Sequence, residues 1–469
     1  MWWTIGVGSG PPAQRKSVSL STAFVLKSAI ERRQCLVCAV QQRSLDSALF
    51  WFLAESYSEG PTINRLVDSQ GLCVNHTRLL LAPENHWQVN FVCEVLTGYN
   101  WRLASQALKW AKAYRRTGLA RFLVGRHSIR RAFIPRTDCP FCIYLRGWER
   151  WALTDLVDFA GDPEVAAASK HTCLPHVLML IPLMSGGLTL SLAEAVDRRL
   201  VAIRAGDDCK PTQVAEFFLA RYPRATRSAF LPAMATELLT DARPLANAVS
   251  MKPWPNEVVA DRPDWDRLDW AECVLCQAAR AAEASGLEGE AQSFCRPHAR
   301  VLLAQAPIST KQQLVEWAPR AVEQRLTQRR RRWITNIVEE TTCPACRRRS
   351  QNIASILATV EKAAPDRLGE ARFCLPHLPL VLERVSPEAA VAILHAERDL
   401  LRGLHVELEE FFRKSDYRFQ HEPLGSEQSA WLRAADILMG SYPADMGVKS
   451  ELKLLMRRDS PGRGPDPRR

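Results

Sequence analysis

The sequence lacks the motifs that mark several common classes of enzyme. It contains no GxxxxGK[ST] phosphate-binding loop, no GxGxxG turn after a strand, no HExxH helix and no GxSxG nucleophile turn. These absences exclude the recognisable forms of P-loop nucleotide hydrolases, dinucleotide-dependent oxidoreductases, zincin proteases and α/β-hydrolases. We therefore assign no catalytic residue from the sequence.

Long apolar runs are also missing. The longest one, 177–190, contains Pro182, Gly186 and Gly187 and is too short to span a bilayer, so we expect no membrane span. Met1-Trp2-Trp3 opens the chain without a basic segment and without an apolar stretch of signal length after it. We therefore expect a cytoplasmic protein. In that reducing compartment disulfides are disfavoured, and closely spaced cysteines indicate metal binding.

The bulk composition is that of a globular chain. Its 469 residues are 47% hydrophobic and 24% charged, which allows two to four domains and a sizeable core. The net charge of +11 permits an anionic partner such as nucleic acid but does not require one.

Cysteine is the residue type that organises the sequence. Twelve of the fourteen cysteines fall into a pattern that occurs four times, in which a CxxC pair is followed, after a spacer, by CxxH. In chain order the residues of the pattern are Cys35, Cys38, Cys73 and His76; Cys139, Cys142, Cys173 and His176; Cys273, Cys276, Cys295 and His298; and Cys343, Cys346, Cys374 and His377.

Each copy carries the ligands of one tetrahedral metal site. CxxC supplies two thiolates and CxxH supplies a thiolate and an imidazole, which together suit Zn²⁺ and leave no open position. We therefore expect about four structural zinc ions, one in each copy. Such a site has a net charge of −1, which Arg296 and the run 347–349 could offset, unless these arginines are simply solvated. An iron–sulfur cluster with the same ligands is the alternative occupant.

The rest of the chain predicts an all-α fold of two tandem halves with two metal sites each. Apolar residues recur at helical spacing, and no stretch shows the alternation of a strand. The expected boundaries are a flexible lead over 1–17, a first half over 18–240, a proline-rich linker over 241–264, a second half over 265–440 and a disordered basic tail over 441–469.

The repeated pattern resembles an uncharacterised bacterial family, a domain of unknown function that pairs CPxC with a later G-[FL]-C-x-x-H. Gly71-Leu72-Cys73-Val-Asn-His76 matches the second motif, and Cys139-Pro-Phe-Cys142 and Cys343-Pro-Ala-Cys346 match the first. The later copies lack the glycine two residues before the CxxH cysteine. The resemblance covers roughly 25–240 and 265–440 and implies metal binding, but no activity.

Three functional hypotheses follow from these features. The first is a zinc finger-like scaffold or binding protein for a protein partner, held together by structural zinc. The second is an iron–sulfur or thiol-based redox protein, and the third is a nucleic-acid-binding protein, whose phosphate contacts would come from basic helices. The basic residues proposed for that contact are Lys109, Lys112, Arg115, Arg116, Arg329, Arg330, Arg331 and Arg332.

Overall fold

The computed structural model of the chain describes ten stretches of the sequence. They are residues 20–81, 85–116, 125–184, 186–205, 214, 216–218, 273–285, 307–328, 343–419 and 421–440. The predicted lead over 1–17, the linker over 241–264 and the tail over 441–469 lie outside these residues.

The described residues form helices joined by short connections, and no strand occurs among them. This confirms the predicted all-α fold. The α-helices are α1 Leu20–Glu31, α2 Leu36–Ala54, α3 Gly60–Asp68, α4 Val74–Leu80, α5 His86–Arg116, α6 Gly125–Ala132, α7 Pro140–Asp158, α8 Pro163–Ser169, α9 Leu174–Leu180, α10 Gly186–Ala205, α11 Val274–Ser285, α12 Pro307–Gln328, α13 Pro344–Lys362, α14 Pro365–Glu370, α15 Leu378–Arg384, α16 Pro387–Ser415 and α17 Ala430–Met439.

Local sequence signals fix several helix ends. Ser386 caps α16 by accepting a hydrogen bond from the Ala389 amide at 3.2 Å, and Pro387 occupies the first turn, where its missing N–H costs nothing. Asp162 caps α8 in the same way, with its carboxylate accepting from the amides of Glu164 and Val165. Helix α17 ends at Gly440, whose φ of +76° is a conformation that glycine adopts without strain.

The described residues fall into two compact units, and each unit combines segments that lie far apart in the sequence. Unit 1 takes the described residues within 1–50, 141–228 and 287–344, and unit 2 takes those within 51–140, 229–286 and 345–469. The compact units therefore interleave along the chain. The predicted boundaries of the tandem halves remain a prediction, because the linker lies outside the described residues.

Unit 2 is built on the contact between its two longest helices, α5 and α16. Helices α14 and α17 pack against this pair, α14 on α16 and α17 on both helices. Apolar positions of α16 recur at helical spacing and are buried, among them Leu401, Leu404 and Leu408. Outside this core, Arg130 of α6 pairs with Glu383 of α15 at 2.5 Å and is itself almost fully buried.

Unit 1 has smaller helix contacts. Helix α1 packs against α8, and Thr22 of α1 donates a hydrogen bond of 2.5 Å to the buried carboxylate of Asp155 on α7. Helix α12 packs against α9 and α10. None of the helices in the described ranges is long and apolar enough to cross a membrane.

We predict that the Leu404→Ala variant destabilises unit 2 strongly. Leu404 is buried in α16, so its truncation removes apolar contacts and leaves a cavity, at a cost of about 2–5 kcal/mol in the free energy of unfolding. The matched control is Val406→Ala on the same helix, where the side chain is exposed and about 0.5 kcal/mol or less is expected. Chemical denaturation measures both variants, and equal effects would contradict the packing described above.

Candidate metal centres

The CxxC pairs lie at the N-termini of helices. Cys35, Cys139, Cys273 and Cys343 each come directly before a helix, namely α2, α7, α11 and α13, and the second cysteine lies within the first turn. The free amides and the positive end of the helix dipole are found at this point, and both favour thiolates over thiols.

The CxxH pairs occupy helix starts as well. Cys73 and Cys173 are the N-cap residues of α4 and α9, so His76 and His176 lie in the first turn of these helices. In the last copy His377 is the N-cap of α15, and Cys374 precedes it by three residues. A complete group therefore joins two helix N-termini, and the electrostatics of both ends support the same cluster of thiolates.

The structure brings twelve of the predicted ligands together as three Cys3His groups. Within each group the ligand atoms all lie within 4.8 Å of one another. Group A consists of Cys35, Cys38, Cys173 and His176; group B of Cys73, His76, Cys139 and Cys142; and group C of Cys273, Cys276, Cys374 and His377.

Group A is fully buried and lies within unit 1. The Nδ1 atom of His176 lies 3.0 Å from Cys173 Sγ, 3.4 Å from Cys35 Sγ and 3.6 Å from Cys38 Sγ. Cys38 Sγ and Cys173 Sγ are 3.8 Å apart. One imidazole nitrogen thus faces all three sulfur atoms, as the ligands of a single ion would.

Group C repeats this geometry in unit 2. His377 Nδ1 lies 3.1 Å from Cys374 Sγ, 3.4 Å from Cys276 Sγ and 3.6 Å from Cys273 Sγ. Cys276 Sγ and Cys374 Sγ are separated by 3.6 Å. In group B, His76 Nδ1 lies 3.1 Å from Cys73 Sγ and 3.6 Å from Cys139 Sγ.

The pairing of half-sites corrects one expectation from the sequence. Each CxxC was expected to share a site with the CxxH of its own copy, and this is wrong for all three described groups. The first CxxC meets the second CxxH, the second CxxC meets the first CxxH, and the third CxxC meets the fourth CxxH. Within a pair of copies the two CxxC half-sites are chemically equivalent to each other, and so are the two CxxH half-sites. Spacing therefore identifies the candidate ligands but does not say which half-sites meet.

Contacts close to the ligands in sequence accompany the crossed pairing. In group A, α1 precedes Cys35 and packs against α8, which precedes Cys173. In group B, the amide of Arg136 donates to the carbonyl of Asp68 at 2.7 Å, which joins the approaches to Cys139 and Cys73. In group C, the amide of Val274 donates to the Arg372 carbonyl at 3.3 Å. Backbone packing therefore selects the partner of each half-site.

The fourth group is described only in part. Cys343 and Cys346 are buried at the start of α13, whereas Cys295 and His298 lie outside the described residues. Of the arginines considered as counter-charges, Arg347 and Arg348 are exposed, Arg349 is buried, and Arg296 lies outside the described residues.

In groups A and C the electrostatics favour the charged form of the imidazole and of one cysteine. The pKa values of the other cysteines are raised, namely those of Cys38, Cys173, Cys276 and Cys374, and burial is the main cause for Cys173 and Cys374. Burial by itself lowers the pKa of His176 and His377, but the neighbouring thiolates outweigh burial and raise both values well above the usual range. The pKa of His76 is raised to about 10, where Cys139 and Cys73 outweigh the opposing effect of burial. Burial raises the pKa of Cys35 and Cys273, yet hydrogen bonds and the imidazole hold both well below the usual value. A cation in the centre would replace these protons.

Two neighbouring carboxyl groups were not identified from the sequence. Glu149 Oε1 lies 3.0 Å from Nε2 of His176 and can hold this imidazole with Nδ1 turned towards the sulfur atoms. Glu397 is buried behind group C and accepts a hydrogen bond from the Phe373 amide at 3.0 Å. Burial raises the pKa of Glu397 to about 8, so this carboxyl is mostly protonated at neutral pH. Neither residue stands at a recognisable spacing from a ligand.

Gly440 covers group C closely. A Cβ atom at this position would lie 3.1 Å from Cys374 Sγ and 3.2 Å from Cys276 Sγ. The Leu375 amide, one residue after Cys374, also donates to the carbonyl of Ile437 at 2.8 Å. The end of α17 is therefore part of the wall of group C, which sequence spacing does not show.

The residues proposed for nucleic-acid contact are described only in part. Lys109 and Lys112 are exposed near the end of α5. Arg115 and Arg116 belong to the same helix, and the run 329–332 lies outside the described residues.

Fold and site together define an all-α protein with Cys3His groups that can hold metal ions. Comparison with known proteins adds no relative, since no family model, no curated protein and no solved structure matches the chain.

The crossed pairing predicts how many metal ions are lost when two ligand substitutions are combined in one chain. Cys35→Ala should lose one ion, and Cys35→Ala with Cys173→Ala should still lose only one, because both residues belong to group A. Cys35→Ala with Cys73→Ala should lose two, because these residues belong to different groups. Native mass spectrometry counts the ions. Pairing within each copy would give the reverse, with two ions lost in the first double variant and one in the second.

We predict that Gly440→Ala weakens group C. The new methyl group would press on two sulfur atoms, and the positive φ disfavours alanine, so a cost of about 1–3 kcal/mol in unfolding free energy is expected together with faster metal release. Gly403→Ala is the control, because that helical glycine has open space around its Cβ position and alanine should stabilise it by about 0.5–1 kcal/mol. Unchanged metal release in Gly440→Ala would contradict the role of this residue.

Proposed function

We propose that the protein is a helical binding or scaffold protein stabilised by about four structural zinc ions. The observation that carries this proposal is the set of three Cys3His groups, each assembled from two separate half-sites, with all ligands of groups A and C buried. The fourth zinc follows from the remaining CxxC and CxxH pairs.

The distances within the groups support zinc as the ion. In a tetrahedral site with Zn–S of about 2.3 Å and Zn–N of about 2.0 Å, sulfur atoms are about 3.8 Å apart and sulfur and nitrogen about 3.5 Å apart. Groups A and C have Sγ–Sγ distances of 3.8 and 3.6 Å. Most of their Sγ–Nδ1 distances are between 3.4 and 3.6 Å.

The number of ligands supports a structural role for the ion. Four protein ligands complete a tetrahedral zinc site, so no position is left for a water molecule or a substrate. The ligands of groups A and C are buried, which limits exchange of the ion with solvent. The ion would supply cross-links, and the helical surface would supply the contacts of a binding protein.

The crossed pairing makes such cross-links effective. Group A joins residues separated by 141 positions, and group C joins residues separated by 104. Closing loops of this length in the unfolded chain costs conformational entropy, so ions that close them contribute directly to folding. The ions would thereby hold helices from distant segments of the chain together as a rigid set.

We predict that chelation unfolds the protein locally and releases its partner. The purified chain should contain about four zinc ions and no iron, and excess EDTA should remove them and lower the helical far-UV circular dichroism. EDTA saturated with zinc beforehand is the control for effects of the chelator itself. A co-purifying protein should dissociate on chelation and rebind when zinc is restored.

Iron together with visible absorption would contradict zinc and favour the redox alternative. Full helicity and full proteolytic resistance without any metal would contradict a structural role for the ions.

A further inference from the structure

A second type of ligand cluster lies between α5 and α16 in unit 2. Glu94 of α5 and His405 and Glu409 of α16 bring one nitrogen and two carboxylate oxygens within 4.8 Å of one another. None of these residues belongs to the cysteine pattern. In the sequence Glu407 and Glu409 follow His405 closely, but nothing there points to Glu94.

The imidazole of His405 is placed between the two carboxylates. Its Nδ1 atom lies 3.5 Å from Glu94 Oε1, and its Nε2 atom lies 3.6 Å from Glu409 Oε1. Both distances are too long for good hydrogen bonds. Nδ1 is buried and has no hydrogen-bond partner within the part of the chain that the structure describes. A buried polar atom without a partner is uncommon in folded proteins and points to a missing ligand.

Helix α5 is shaped to admit this imidazole. Gly98, one turn after Glu94, faces the ring so closely that a Cβ atom would lie 2.9 Å from His405 Cε1. Trp101, in the next turn, packs against the other part of the ring with centroids 5.9 Å apart. Glu94, Gly98 and Trp101 therefore share one face of α5 and hold the ring in place.

Charged groups of both signs surround the cluster. Burial raises the pKa of Glu94, and the charge of Glu409 raises it further, whereas His405 and Arg102 act in the opposite direction. Two carboxylates thus approach each other beside one imidazole, with the ligand atoms within 4.8 Å of one another. Arg402, one turn before His405, lies over the ring of Trp101 at 5.9 Å.

We propose that Glu94, His405 and Glu409 bind one divalent cation of the Mn²⁺ or Zn²⁺ type. One imidazole nitrogen with two carboxylate oxygens suits these ions, in contrast to the sulfur-rich groups A to C. Three protein ligands leave coordination positions open to water or to an anionic group. The site differs from the structural groups in ligand type and in its partial exposure, since the side chain of Glu409 is 60% exposed.

Binding of Mn²⁺ to the zinc-loaded chain tests the proposal. Mn²⁺ prefers oxygen and nitrogen ligands and does not displace zinc from thiolates, so the cysteine groups stay filled. Electron paramagnetic resonance measures free Mn²⁺ during a titration. We expect one bound ion in the wild type and at least a tenfold weaker affinity in His405→Ala and in Glu94→Gln.

His395→Ala is the matched control. His395 is on the same helix and pairs with Asp399 at 3.0 Å with the same i,i+4 spacing, but it is half exposed and belongs to no group of three ligands in the described residues. This variant should bind Mn²⁺ as the wild type does. Circular dichroism and the zinc content of each variant show whether a loss of Mn²⁺ reflects the site or a loss of folding.

Three results would overturn the proposal. One is the absence of Mn²⁺ binding up to millimolar concentrations, which would leave the cluster as an ion-pair contact between two helices. The second is equal affinity in the wild type and in folded His405→Ala, and the third is an equal loss in His395→Ala. These results are distinguishable from a failure of the proposed function. That function concerns zinc in the cysteine groups, and the zinc content of the purified chain tests it separately.

Discussion

The crossed joining of half-sites is the constraint on which the structure depends. Each of groups A, B and C needs four ligands from two helix N-termini, and these termini come from different copies of the repeated pattern. A helix that carries CxxC therefore cannot be placed independently of a distant helix that carries CxxH. The positive ends of the helix dipoles favour thiolates at these positions, and the ion proposed at the centre would bind these thiolates together with the imidazole.

Hydrogen bonds and helix contacts close to the ligands contribute to the same constraint. The bonds from Arg136 to Asp68 and from Val274 to Arg372 hold the approaches to groups B and C in place, and the contact of α1 with α8 does so for group A. Gly440 then brings the end of α17 against two sulfur atoms of group C. The site and the packing of the units are therefore coupled, so a change in a neighbouring helix is expected to affect metal retention.

The two types of ligand cluster suggest two roles within one molecule. The sulfur-rich groups have four ligands each, and those of groups A and C are all buried, which suits ions that stay in place. The cluster of Glu94, His405 and Glu409 lies on the main helix contact of unit 2, and it is partly exposed and has only three ligands. An ion there would be exchangeable and would join α5 to α16.

The sequence by itself determined the all-α fold and the residues that meet in groups A, B and C, because helical periodicity and the CxxC and CxxH spacings are local properties. It also located helix ends such as Ser386-Pro387, where capping depends on neighbouring residues. Only the tertiary structure decided which half-sites meet, because equivalent half-sites carry no label for their partner. The same holds for Glu149, Glu397, Gly440 and the pairing of Glu94 with His405, all of which depend on contacts between segments distant in sequence.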